Sequence, residues 1–370
     1  MTRRIRVVGD ATEARDQYLE LLRSARRTIS ISTWMLTKNS FALEVLAVLK
    51  QRIAERNIRV TVVCFGGFLP IVTGAVSGVV DISDGKPLDL AGIQGLTFHP
   101  HVSGLLKGAH EKLLVVDGRT VLFSDRNIGD YYYGPSWQYT GLDVVVTGDR
   151  ALASAVDAHI VSNLSTHLVF PARPPSAPEL PDGTLQFRVK SPAARVDHIT
   201  PAYVDAVRAA THEIVIANCV FRPPPGLLAA LRAAGKRGVR VTVVVPFEDQ
   251  VSQRIHVGAT RGAALAVAQT IAGARLLGYK GHGTMHHKYL WTDEGKTVLF
   301  GSYNMDFYSE TQDVEYVVRT EGDEAFAGQL AAYHRQWLVP RCREVLLSSC
   351  CAETGAAFFG AVAALAPCCF

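Results

Sequence analysis

Apolar positions in this chain follow two rhythms. Short, nearly continuous runs such as KLLVVD (112–117) and YLWTD (289–293) read as strands covered on both faces. The stretches 42–56 and 226–236 instead carry apolar residues at helical spacing. The alternation of the two occurs twice. LLRSARRTISIST (Leu21 to Thr33) is answered by AVRAATHEIVIAN (Ala206 to Asn218), each a helix end running into a β-branched strand. RNIRVTVVCF (Arg56 to Phe65) is answered by RGVRVTVVVPF (Arg237 to Phe247), with the same Arg-Val-Thr-Val-Val at its centre. The pattern predicts an α/β fold of two similar lobes related by a pseudo-twofold axis, each a mostly parallel central sheet flanked by helices. Five prolines within FPARPPSAPELPDGTLQF (Phe170 to Phe187) can continue neither a helix nor a central strand and mark a linker. The expected division is lobe 1 at 1–170, a Pro-rich linker at 171–184, lobe 2 at 185–345 and an apolar, Cys-containing tail at 346–370.

Composition narrows the picture without deciding it. A chain of 370 residues is long for one domain, and its 48% of hydrophobic residues is ample for a buried core. A formal net charge of +4 is too small at this size to argue globally for nucleic acid. The N-terminal MTRRIRVVGDATEARDQ lacks the apolar centre of a secretion signal, and no stretch reaches the roughly 20 apolar residues that span a bilayer. Seven cysteines cannot all pair within the chain, and Cys64 and Cys219 fall in strand-like runs where buried thiols are common, so a reducing, cytoplasmic setting is expected. Two features leave room for contact with a membrane surface. One is the Gly-rich apolar run GFLPIVTGAVSGVV (67–80); the other is the tail, where Cys350-Cys351 and Cys368-Cys369 flank TGAAFFGAVAALAP. The alternative readings are a packed loop for the first and a frayed or core-packing tail for the second.

The candidate chemistry is duplicated with the fold. HEKLLVVD places His110, Lys112 and Asp117 in the first half, and HHKYLWTD places His286, Lys288 and Asp293 at the same spacing in the second. Side chains at i and i+2 of a strand share a face, so each His and Lys can meet one ligand, and an imidazole beside an ammonium suits a phosphate. Downstream stand SDRN, ending at Asn127, and GSYN, with Ser302 and Asn304. The His-to-Asn separations are 127 − 110 = 17 and 304 − 286 = 18, the extra residue fitting a turn at 293–295. Asn127, Asn304 and Ser302 are expected to bind phosphate oxygens. An acid follows on the next strand of each half, and chain order pairs Asp143 with His110 and Glu315 with His286, where a carboxylate on Nδ1 would fix the tautomer. The histidines of GHGTMHH (His282, His286, His287) and of FHPHVSG (His99, His101) lack the further ligands that a metal site needs, so no metal and no cofactor is expected. The aromatics Tyr131 to Tyr133, Trp137 and Tyr139 follow the first Asn, where they either pack or line a substrate mouth.

Paired HxKxxxxD motifs, each followed by its Asn, resemble the phospholipase D superfamily, and RNIGDYYYG (126–134) with GSYNMD (301–306) is similar to bacterial cardiolipin synthases and related phosphatidyltransferases. The resemblance implies one metal-free site between the lobes. In it His110 would attack phosphorus, His286 would act as acid and base, and Lys112, Lys288, Asn127 and Asn304 would hold the nonbridging oxygens. Asp117 and Asp293 would be structural, tying strand ends and lysine side chains. The implied substrates are a phospholipid and an alcohol or water acceptor, with peripheral membrane contact. A nuclease of the same superfamily and a weakly active scaffold are the alternatives. Two departures stand out: Ser124-Asp125 where relatives carry Gly-Gly or Gly-Ser, which sets an acid beside the expected phosphate, and FYSETQDVE after GSYNMD.

Overall fold

A computed structural model describes residues 3–34, 36, 38–64, 90, 92–100, 109–134, 137–163, 185–247 and 254–346. The apolar run 67–80, the linker 171–184 and both cysteine pairs of the tail lie outside the described residues.

The first half builds a seven-stranded sheet from β1 (Arg4–Val8), β2 (Thr28–Thr33), β3 (Arg59–Cys64), β4 (Leu96–Pro100), β5 (Lys112–Val116), β6 (Thr120–Ser124) and β8 (Asp143–Thr147), in the order β1-β8-β6-β5-β2-β3-β4. The second half builds a nine-stranded sheet from β9 (Gln186–Ser191), β10 (Val196–Asp197), β11 (Glu213–Asn218), β12 (Arg240–Pro246), β13 (Arg275–Tyr279), β15 (Lys288–Thr292), β16 (Thr297–Gly301), β17 (Glu315–Glu321) and β18 (Cys342–Val345). Its order is β10-β9-β17-β16-β15-β11-β12-β13-β18, so removing the two edge strands leaves the same seven positions in the same sequence. The duplication seen along the chain is therefore a duplication of topology. A short parallel pair, β7 (Tyr139–Thr140) with β14 (Thr284–Met285), joins one half to the other.

The α/β class and the paired lobes agree with the sequence pattern, but the sheets are not mostly parallel. In each, only three adjacent strands run together: β2 with β3 and β3 with β4, then β11 with β12 and β12 with β13. All other neighbours within the sheets are antiparallel. The apolar runs were continuous because both faces are covered, which burial alone demands whatever the strand direction.

Covering comes from outside and from between. Helices α1 (Ala11–Ser24) and α2 (Ser40–Arg56) close an outer core over the first sheet through Tyr18, Leu22, Phe41 and Leu49. Helices α4 (Ile199–Ala209), α5 (Pro225–Lys236) and α6 (Arg254–Ala268) cover the outer face of the second. Between the sheets, α3 (Arg150–Ser162) and α8 (Glu324–Tyr333) lie in one shared apolar layer with Phe123, Phe187, Tyr289, Phe300 and Tyr316. Each inner helix reaches across: His159 of α3 meets Phe187 of the second sheet, and Gln329 of α8 bonds both Ile5 O and Val7 N of the first. No helix among the described residues is long and apolar enough to cross a membrane.

Candidate active site

Strand geometry puts the two motifs at one seam. Lys112 opens β5 opposite Thr33, and Lys288 opens β15 opposite Asn218. The histidine two residues earlier thus stands where each strand leaves its own sheet and touches the other half. Ala109 bridges Val314 and Met285 pairs Thr140. His110 N donates to Val314 O at 2.9 Å, and His286 N donates to Thr140 Oγ1 at 3.2 Å.

Each lysine folds back onto its own histidine. Lys112 Nζ donates to His110 O at 2.5 Å and lies 5.8 Å from the Trp34 ring; Lys288 Nζ donates to His286 O at 2.7 Å and sits 3.1 Å from both ring nitrogens. The motif aspartates do not touch these lysines. Asp117 accepts the backbone N–H groups of Arg26, Arg27 and Thr28, and Asp293 those of Thr211, His212 and Glu213. They are structural ties, but between the hairpin turn and the loop before the neighbouring strand. Both take a left-handed φ, 55° and 48°, and the second turn holds one more such residue, Glu294.

The carboxylates are not placed as chain order suggested. Glu315 serves His110, not His286, with Nδ1 to Oε1 at 2.9 Å. Asp143 serves neither histidine; it accepts from Ser124 Oγ at 2.6 Å and pairs with Arg126 at 3.2 Å. Register explains the error. Thr140 and Val314 form equivalent bridges, which makes Gly141 the counterpart of Glu315 and sets Asp143 two residues too far along its strand. A Cβ on Gly141 would lie 2.4 Å from Arg126 Cγ, so the arginine fills the space a second acid would need. Counting back from the matched Gly148-Asp149 and Gly322-Asp323 would have found this register; counting forward from each Asn fails, because the intervening loops differ in length.

Glu315 is held by a full set of donors. Ser302 Oγ accepts Tyr316 N at 3.0 Å and Ser309 Oγ accepts Asn304 N at 3.2 Å, which turns both hydroxyl hydrogens toward the carboxylate. With its oxygens already accepting, Glu315 also accepts Nδ1–H of His110 and leaves Nε2 of that ring with its lone pair. Ser302 therefore supports the acid instead of facing a phosphate.

The two asparagines differ as well. Asn304 Oδ1 accepts from Cys219 Sγ at 2.9 Å, whereas Asn127 Nδ2 donates to Tyr132 Oη at 3.2 Å. Tyr132 stacks on Tyr139 at 4.9 Å, and both rings stand steeply inclined to that of His286, with centroids 5.2 and 5.9 Å away. Tyr133 packs in the outer core against Phe41, so the aromatic cluster divides between core and cleft. Asp125 is taken up by partners of its own: Leu142 N donates to it at 2.8 Å, and its other oxygen lies 3.2 Å from His287 Nδ1, whose Nε2 meets Tyr333 Oη at 2.9 Å. Its charge is thereby engaged in the inter-lobe packing. Tyr132 and Tyr139 are two of the aromatics expected at a substrate mouth, whereas Trp34, Gly141, Cys219 and Ser309 were not singled out for the site by the motifs.

Electrostatics show the convergence directly. Burial holds His286 well below the usual imidazole range, reinforced by Lys288, Lys112 and His110 in turn. His110 is depressed by burial, then by Lys112 and Lys288. Burial pulls Lys112 down to about 7, with Glu315 opposing and Lys288 adding. Two imidazoles and two ammonium groups, one of each from each half, thus share one field, and an anion among them would favour the charged form of all four. Among the described residues no group of three or more His, Cys, Asp or Glu side chains could hold a metal ion.

Comparison with known proteins agrees with this geometry. Residues 203–337 match the family described as "Cardiolipin synthase, PLD-like domain". Cardiolipin synthase A of Pseudomonas fluorescens (strain SBW25) is 32% identical over 232 residues, covering 60% of this chain and 45% of that protein. The second half of the chain is thus similar to the phospholipase D-like domain of cardiolipin synthases. Cardiolipin synthase A of Pseudomonas entomophila (strain L48) is 28% identical over 229 residues, and the chain spans less than half the length of these superfamily relatives, 45% in each case. A crystal structure of phosphatidylserine synthase from Haemophilus influenzae Rd KW20 shares the fold with a TM-score of 0.70 at 16% identity, covering 92% of this chain and 87% of that one. Against the superfamily's paired motifs, the asymmetry of this site is that one histidine has a carboxylate and the other does not.

Proposed function

We propose that the chain is a phosphatidyltransferase or phospholipase D that makes and breaks phosphodiesters of phospholipids, transfer of the cardiolipin-forming kind being its specific form. The observation that carries the reading is the unequal pair of histidines. His110, with Nδ1–H committed to Glu315, presents Nε2 as a nucleophile. His286 has no such anchor and rests among Lys288, Tyr132 and Tyr139, so its proton can come and go.

In the first step Nε2 of His110 bonds to phosphorus as the P–O bond to the leaving alcohol breaks, and His286 gives that oxygen its proton. In the second, an alcohol or water passes a proton to His286 while its oxygen bonds to phosphorus and the N–P bond breaks. Lys112, Lys288 and the amide nitrogen of Asn304 would hold the nonbridging oxygens and offset the charge that grows on them. The relatives named as cardiolipin synthases support the lipid substrate, and such a substrate implies peripheral contact with a bilayer.

The test is a product assay on phosphatidylglycerol vesicles with and without added glycerol. Cardiolipin or phosphatidic acid is expected, and His110→Ala or His286→Ala should each cut turnover by about a thousandfold with an unchanged melting curve. An acid-stable lipid product that forms equally in both variants would overturn the roles. Faster cleavage of a single-stranded oligonucleotide than of any phospholipid would overturn the substrate.

A further inference from the structure

Asp125 stands two residues before Asn127, as Ser302 stands two before Asn304, and Leu142 is likewise the twin of Tyr316. Their main chains are engaged alike. Asp125 N donates to Leu142 O at 3.1 Å, and Ser302 N to Tyr316 O at 3.0 Å. In return Leu142 N donates to the Asp125 side chain at 2.8 Å, and Tyr316 N to the Ser302 hydroxyl at 3.0 Å. Each main-chain oxygen is a partner of the motif histidine from the opposite half, Ser302 of His110 and Asp125 of His286. What differs is the position that carries the acid. The second half has Ser302 and Glu315; the first has Asp125 and Gly141, and a Cβ on Gly141 would lie 2.6 Å from Asp125 Oδ1. The carboxylate thus hangs from the place of the serine and fills space that a side chain at 141 would enter.

We propose that Asp125 is a positioning residue for His286, its carboxylate supplying at one remove the counter-charge that Glu315 supplies to His110 by contact. The inference rests on the phosphatidyl-transfer reading above. The charge is available for this role. Neighbouring Arg126 is already paired with Asp143 at 3.2 Å. Facing a carboxylate, His287 keeps its hydrogen on Nδ1 and accepts Tyr333 Oη–H on Nε2, and burial disfavours a second proton on that ring. The field of Asp125 extends across the seam to Lys112. In the first step His286 passes its proton to the leaving oxygen as the P–O bond breaks. Asp125 takes no proton; it favours the imidazolium that must precede the step. Because the carboxylate bonds His287 and not His286, the catalytic ring stays free to give up its proton and to regain one in the second step.

The leaving group separates this role from a purely structural one. An alkyl alcohol must be protonated as it departs, whereas p-nitrophenolate leaves without that help. First-turnover release is therefore measured, with protein in excess, on vesicles of phosphatidylglycerol and on vesicles of phosphatidyl-p-nitrophenol. Asp125→Asn should slow glycerol release about a hundredfold and p-nitrophenol release by no more than about threefold. Asp125→Ser, which copies the twin residue Ser302, should give the same split, and it decides should the asparagine variant fail to fold. His286→Ala should show the split more steeply. Equal losses on the two substrates, or no loss on phosphatidylglycerol, overturn the inference. A His286→Ala protein without the split takes the acid's role from His286, and the inference falls with it. A wild-type protein that releases neither alcohol removes phosphatidyl transfer itself, and this inference too.

Discussion

Lys112 is the residue whose charge is most exposed to pH. Burial brings it down to about 7, while His110 is held well below the ordinary imidazole value, so the free protein is best prepared for an anion between these two titrations. The expected profile of kcat/KM has its acid limb below about 6.5, the usual histidine value, and an alkaline fall beginning as Lys112 loses its proton. Lys112→Arg should be slower at every pH, because a planar guanidinium does not replace a compact ammonium, yet should lose the alkaline fall. Glu315→Gln would set an amide NH2 against at least one of the serine hydroxyls that now donate to it; kcat should drop about a hundredfold with KM changed far less. At this scale the sequence exposed the repeated residues and concealed the unrepeated ones. His110, Lys112, His286 and Lys288 were legible because each has a twin. Gly141 and Cys219 were not, since a glycine where the other half has a glutamate, and a thiol where it has Trp34, carry no periodic signal.

Among the elements, the two hairpins that carry the lysines depend on Asp117 and Asp293. Burial would raise the Asp293 carboxyl, but the N–H groups of His212, Glu213 and Thr211 outweigh it and hold the group at about 2. A depressed carboxyl stabilises the fold above its unfolded value of about 3.9, and that contribution disappears as pH falls toward 2. Asp293→Asn should accordingly lower the melting temperature by a few degrees at pH 7, with the gap to wild type narrowing below pH 4. That the two halves share one topology was readable from the repeat, because two stretches of like pattern fold alike. Strand direction was not: a run of apolar residues reports that both faces are covered and is silent on which way its neighbours point. The crossing of Glu315 to the first histidine was equally hidden, since it arises only when the halves meet face to face.

At the scale of the whole molecule, acid should loosen the packing between the halves. Burial lowers His334 to about 4, and its ring accepts from or donates to Tyr289 Oη at 2.8 Å inside the shared layer. A base whose folded value lies below its unfolded one binds fewer protons when folded, so stability declines as pH drops through 6.5 toward 4. Between pH 7 and pH 5 this group alone should cost about 2 kcal/mol, and denaturant titration of His334→Gln should show a loss smaller by about that amount. The inner layer has a further consequence for how anything reaches the seam. Phe123, Phe187 and Tyr316 pack across it, and each ångström of separation would wet that oily contact over its whole extent. Any route to the seam that parted the halves would have to break this layer first, so a path that leaves the layer closed is the less costly one.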